Sequence, residues 1–334
     1  MKKWSENRIE KEMEYLIEDI PEHSEQLKQE EQLEKKIEMR IKRKVQKIIY
    51  RTICGIVLCI LFLLIVIQPF LNAAFLNPKK LNGDGYGVMY QTLRDYFEVT
   101  RPYAELCALN VESKGFARYE LQMQFSDRRE PVNLGISNTW VDLEFGKYKE
   151  WKDVDLYTSA VINRFSNNFE DSKQFIEKVK ELPSSAVLYL SVGDTNTRPL
   201  KELLDENVEI IWAEIDQPNV EFQGGIALRK NIPEKDISPQ EMSEDQWKKL
   251  YLEKLENLVE HGEIWEELGV VSSDKLFYST NVVRECYEDA KKMKQLMTKN
   301  YCISGKRDEI ISYLENRKIQ SLYVDEVVLC ELNY

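Results

Sequence analysis

Between Ile53 and Leu76 the chain reads ICGIVLCILFLLIVIQPFLNAAFL, and no charge occurs from Thr52 to Pro78. A helix of about 20 apolar residues crosses the roughly 30 Å hydrocarbon core of a bilayer. A core helix of a water-soluble protein would carry a polar stripe, and Ile53 to Ile67 has none. The run reads as a transmembrane helix over residues 51–76. A cleaved signal peptide is the competing reading, with Ala73 and Ala74 as small residues for processing. Such peptides have short leading regions and apolar stretches of about 7–15 residues, whereas 50 largely polar residues precede this one. Lys35, Lys36, Arg40, Lys42, Arg43, Lys44, Lys47 and Arg51 lie before the run, and only Lys79 and Lys80 follow closely. Basic residues stay on the cytoplasmic side, so residues 1–50 are expected inside and residues 77–334 outside, in sub-parts of about 77–160 and 161–334.

Residues 52–334 carry a net charge of −13 within a total of −12. An acidic outer portion argues against direct nucleic-acid binding and against adhesion to anionic lipid. Of six cysteines, Cys54 and Cys59 fall in the apolar run. Cys107, Cys286, Cys302 and Cys330 form no CxxC pair and read as free thiols rather than a disulfide framework or zinc site. A Cys302–Cys330 bridge requires that their strands be neighbours. With His23 and His261 the only histidines, and on opposite sides of the span, a His-rich metal site or a Ser-His-Asp triad is hard to assemble. No cofactor, metal or catalytic residue is expected.

The first 50 residues divide by charge. Residues 1–34 hold a net −6 and residues 35–51 a net +7. In the acidic half, Ile9, Met13, Leu16, Ile17 and Ile20 fall on one helical stripe. Trp4 stands just ahead of it, and Pro21 is expected to close the helix. Ser24 can cap a second helix, in which Leu33, Ile37, Ile41, Val45 and Ile48 line up before the span. The basic half fixes topology and meets anionic headgroups. The acidic stripe either pairs within the tail or with a second copy, or docks in the groove of a basic partner.

Beyond the span, residues 77–115 read as a loop leaving the membrane, with a helix near Tyr90–Phe97. Arg118–Phe125 and Trp140–Phe145 read as strands joined through a turn at Asp127–Pro131. From Phe165 an α-β-α-β order appears: a helix at Phe169–Glu181, strand Ala186–Val192, polar turn Gly193–Arg198, short helix Pro199–Asp205 capped by Thr197, and strand Val208–Glu214. After a long helix at Pro239–His261 the order recurs through helix Val282–Thr298, strand Tyr301–Ser304, turn Gly305–Asp308, helix Glu309–Asn316 and strand Leu322–Leu329. Either an internal αβαβ duplication or two βαβ-like units in one α/β (α+β) sandwich accounts for this. The turns have one glycine each and no Lys-Ser/Thr pair, so they are poor phosphate loops. Asp194 reads as a turn former or, less simply, a ligand carboxylate.

Two stretches, LPSSAVLYLSVGDTNTRPLKELLDENVEIIWAEI at Leu182–Ile215 and the terminal GKRDEIISYLENRKIQSLYVDEVVLCELNY, resemble the membrane anti-sigma factors of Gram-positive bacteria that carry sigma factor regulator N- and C-terminal domains. The Tyr119–Phe125 strand and the place of the span agree with that pattern, which covers most of residues 50–334. The resemblance implies a cytoplasmic tail that holds an extracytoplasmic-function sigma factor, and an outer domain that senses envelope conditions, with a second membrane regulator as a further partner. It places partner binding on Trp4, Ile9, Met13, Leu16, Ile17 and Ile20. The chain lacks the His-x3-Cys-x2-Cys zinc anti-sigma motif, so no inhibitory contact carries over residue by residue. A membrane-anchored binding module, whose tail only anchors it or binds another regulator, is the alternative.

Overall fold

The chain separates into two units, Met1–Pro69 and Phe70–Tyr334. The computed structural model describes residues 3–129, 136–152, 172–204, 207–220, 224–229, 241–271 and 279–329, with side chains of the first helix described from Gln32 onward. That helix, α1 (Lys3–Phe62), is followed by a single π-helical turn, Leu63–Ile67, and by α2 (Gln68–Ala74). Pro21 does not close a helix and Ser24 does not open one, because α1 runs through both. A proline inside a helix removes one backbone bond at a cost of about 3 kcal/mol, and the Glu-, Lys- and Leu-rich sequence on either side supports helix past that point. The π-turn has a local cause. Pro69 follows it, and the N–H of Gln68 donates to Leu63 O, five residues back, widening the backbone ahead of the proline ring.

The apolar run and the helix end at different places. Its last residues fall in the second unit. Asn72 Oδ1 accepts from Ala117 N at 3.0 Å and from the Tyr119 hydroxyl at 3.2 Å. The Phe75 ring meets Phe145 edge-on at 5.5 Å, and Leu76 packs on the main core. Apolar sequence alone could not separate lipid-length helix from residues that bury against a folded domain.

In the second unit, α3 (Pro78–Asn82) is capped by Asn77 and leads into α4 (Val88–Thr100). Met89, Leu93, Tyr96 and Phe97 make the buried face of α4. Strands β1 (Ala104–Gly115), β2 (Arg118–Asp127), β3 (Ile136–Glu144) and β4 (Lys147–Lys152) form an antiparallel meander. On β2, Tyr119, Leu121, Met123 and Phe125 are buried at every second position, the signature of a sheet covered on one face. The β3–β4 turn places Phe145 and Gly146 at φ of 50° and 76°, the positive values that a two-residue hairpin needs. The helix expected near Tyr90–Phe97 is α4, whereas the loop expected on either side of it is corrected by α3 and β1. Strand β1 exists because β2 pairs with it, and its own alternation decays to exposed Glu112–Lys114 at the hairpin tip.

The second sheet comprises β5 (Val187–Pro199), β6 (Glu209–Glu214), β7 (Gly225–Ala227), β8 (Met297–Lys306) and β9 (Ile319–Val328). Their order is β7-β6-β8-β5-β9, every neighbouring pair antiparallel. Strands β5 and β6 therefore run the same way with β8 between them, and β8 and β9 run the same way with β5 between them. The two βxβ segments are interleaved as split crossovers within one sheet. The first crossover is the 3-10 turn Leu200–Leu203 and the second is α9, below. Cys302 is buried on β8, and Cys330, its partner in the expected bridge, lies outside the described residues.

Several boundaries also change. Gly193–Arg198 is not a turn but the continuation of β5, with a break in its pairing to β8 between Gly193 and Arg198. Thr197 caps no helix; its hydroxyl donates to Asp216. Helix α5 (Ser172–Val179) precedes β5, and α6 (Glu244–Glu260), α7 (Gly262–Val271) and α8 (Thr280–Lys292) stand between β7 and β8. Helix α9 (Arg307–Glu315) links β8 to β9. Ser243 opens α6 with a capping box, its hydroxyl accepting from Gln246 N. Both faces of the second sheet are buried. Leu188, Leu190 and Val192 enter the main core, and Tyr189 joins Trp212, Ile211, Cys302 and Tyr103 on the other face. Gly225 is required by close approach, since a Cβ there would lie 1.9 Å from the Trp212 ring.

Candidate functional site

The six tail positions singled out above, Trp4, Ile9, Met13, Leu16, Ile17 and Ile20, lie within α1, and their side chains are outside the described residues. Trp4 is inside the helix rather than ahead of it. Further along, Leu33, Ile37, Ile41, Val45 and Ile48 are all exposed, Ile48 to 63%. Lys36, Arg40, Arg43, Lys47 and Arg51 share a separate face of the same helix. From Gln32 to Ala74 the chain provides one helix long and apolar enough to cross a membrane, with a best-window mean hydropathy of 2.8 and none of that window buried.

Among the described residues, the polar groups sealed inside the second unit include the following three clusters. At the first, Asp194 is 0% exposed within β5. Its Oδ2 lies 2.7 Å from Arg198 Nε and 3.8 Å from Arg317 Nη1, and its Oδ1 accepts from the Tyr301 hydroxyl at 3.2 Å. Burial pushes this carboxyl up, while Arg198, Arg317 and the Tyr301 hydrogen bond pull it back. The Arg317 guanidinium stacks 3.9 Å over the Tyr313 ring and donates to Glu202 O at 3.1 Å. Asp194 is thus the anchor of two arginines, not the turn former that its neighbours Gly193 and Thr195 suggest.

At the second, Glu214 is 1% exposed and burial pushes it up to about 8, with only the Asn300 amide at 2.8 Å and Lys299 working the other way. Gln217, Tyr251 and Cys286 interlock nearby: Cys286 Sγ donates to Gln217 Oε1 at 2.7 Å, and burial pushes that thiol up to about 12. A thiol held so high is protonated and a poor nucleophile. At the third, burial opposes the charge of Lys254, but Glu98 at 3.1 Å and Asp95 at 3.0 Å outweigh it and hold its pKa above the ordinary value.

Among the described residues no group of three His, Cys, Asp or Glu side chains could hold a metal ion. Comparison with protein-family models, with curated proteins and with solved structures gives no match to this chain. The arginine pair could not be read from the sequence, because Arg198 and Arg317 are brought together only by the crossover of β5 and β9. The polar run Asp194–Arg198 was visible; the partner that gives it meaning was not.

Proposed function

We propose that the chain is a single-pass membrane anti-sigma factor: α1 crosses the cell membrane with residues 1–50 in the cytoplasm, the tail sequesters an extracytoplasmic-function sigma factor, and the second unit responds to envelope signals. The observation that carries this reading is the helical continuity of the first stretch of the chain. An acidic amphipathic stripe and a cationic stretch lie on α1, and the apolar run of membrane length continues from α1 through the π-turn into α2. A stripe held on a helix that emerges from the bilayer has no protein core of its own to enter, so a partner's groove is its natural cover. Catalysis is not assigned. Asp194 is engaged by two guanidiniums, and Glu214 is closed off from solvent.

Burying Met13 and Leu16 in such a groove contributes about 1.5–3 kcal/mol each. Replacing both by Asp forfeits that burial and introduces charge, weakening sequestration by a hundredfold or more. Genes under the sigma factor should then switch on without any envelope signal, while Lys36→Glu, on the cationic face, should change them little. If the double variant accumulates in the membrane and those genes stay silent, the stripe is not the inhibitory surface, and the anchored binding module becomes the better reading.

A further inference from the structure

We propose that the cleft between the β5–β6 crossover and α9 binds a small oxyanion, a carboxylate or a phosphate, on Arg198 and Arg317. The cleft has a volume of about 450 Å³ and is lined by Arg198, Asn207, Ser312, Tyr313, Asn316 and Arg317, and also by Asp308 and Glu309. That volume falls in the range of small-molecule sites.

Around the two arginines themselves the local charge favours an anion. Among the described residues, Asp194 is the carboxylate within ion-pair reach of either of them. Asp308 is paired with Arg307 at 2.8 Å, and Glu309 accepts from Lys306 N at 3.0 Å as the helix cap. Neither of these carboxylates is within ion-pair reach of Arg198 or Arg317. Each guanidinium is also held in place before any ligand arrives. Arg198 is fixed by Asp194, with a quarter of its side chain (24%) left exposed. Arg317 is fixed by the Tyr313 ring and Glu202 O. Guanidiniums oriented in this way present paired N–H donors that match the paired oxygens of carboxylate or phosphate. Ser312, exposed on α9, supplies a neutral donor, and Asn316, exposed just past the helix end, donates to Ser312 O at 3.0 Å.

Binding needs neither the membrane nor the tail's partner, so its failure leaves the tail reading untouched. The test is calorimetric titration of the full-length protein in detergent, at fixed ionic strength, with inorganic phosphate in one arm and succinate in the other. Saturable binding of one of them over a chloride control is expected, and the arm that binds identifies the oxyanion. Arg198→Gln should weaken it at least about tenfold, the worth of one charge-assisted hydrogen bond. Ser312→Glu, which leaves the Asp194 cluster intact and sits on an exposed helical position, should weaken it as much without altering the melting temperature. Absence of binding to both anions, or binding that survives in both variants, overturns the proposal.

Discussion

Buried charge is handled in contrasting ways at single residues of this protein. Asp194 keeps two guanidiniums beside it, whereas Glu214 has one amide donor and one oxygen without a hydrogen-bond partner. The consequence is pH dependence. The folded-state pKa of Glu214, about 8, lies above its ordinary 4.5, so folding binds a proton between those values. Its stabilising contribution is intact below about pH 4.5, erodes as pH rises, and is gone above 8. Each tenfold difference in proton affinity between the folded and unfolded chain corresponds to about 1.4 kcal/mol, so the melting temperature of the full-length protein should fall between pH 5 and 9. Glu214→Gln, which keeps an acceptor for Asn300 and cannot ionise, should flatten that fall. A slope unchanged in the variant would place its source elsewhere. None of this was legible in VEIIWAE, where Glu214 follows the strand's apolar residues as an ordinary polar terminus.

Between elements, the Lys254 ammonium joins α6 to α4 through Asp95 and Glu98, reinforced by Asn257, which donates to Asp95 Oδ2 at 2.6 Å. Removing one partner of a buried ion group leaves the others uncompensated and costs about 3–5 kcal/mol. Lys254→Ala should therefore lower the urea midpoint strongly. One turn away on the same helix, Lys249 and Glu253 form an exposed pair at 3.7 Å, and Lys249→Ala should cost under about 1 kcal/mol. Equal effects would mean that the α4–α6 contact is held by its apolar residues alone. A helix over Pro239–His261 was expected, and α6 fills it from Glu244 to Glu260; its neighbour α4 was readable too. That they meet through one lysine was not, since Lys254 sits in a run of Glu and Lys that looks like a solvated face.

At the scale of the whole molecule the proposed topology places Phe70–Tyr334 outside the cell. Lys114, at the exposed β1–β2 hairpin tip, offers a site to check it. A Lys114→Cys protein should react with a membrane-impermeant thiol reagent in intact cells, above the background of the unsubstituted protein. Reaction only after lysis would reverse the orientation. The acidic balance of residues 52–334 and the cationic balance of residues 35–51 both fit the orientation proposed, because basic residues resist translocation more than acidic ones.

Sequence by itself determined the features that depend on local pattern. The apolar length of residues 53–67 and the period-two alternation of β2 are each written in consecutive residues, and each appears in the structure. Tertiary structure decided what depends on distant partners. Strand β1 formed because β2 offered it a ladder of hydrogen bonds, and Gly193–Arg198 became strand although its composition reads as a turn. The end of the apolar run went to the globular unit because Ala117, Tyr119 and Phe145 were there to receive Asn72 and Phe75. Asp194 became an anchor only when β9 delivered Arg317. Local propensities act over a few residues, whereas pairing and burial depend on contacts between residues far apart in the chain, and those contacts exist only once the chain has folded.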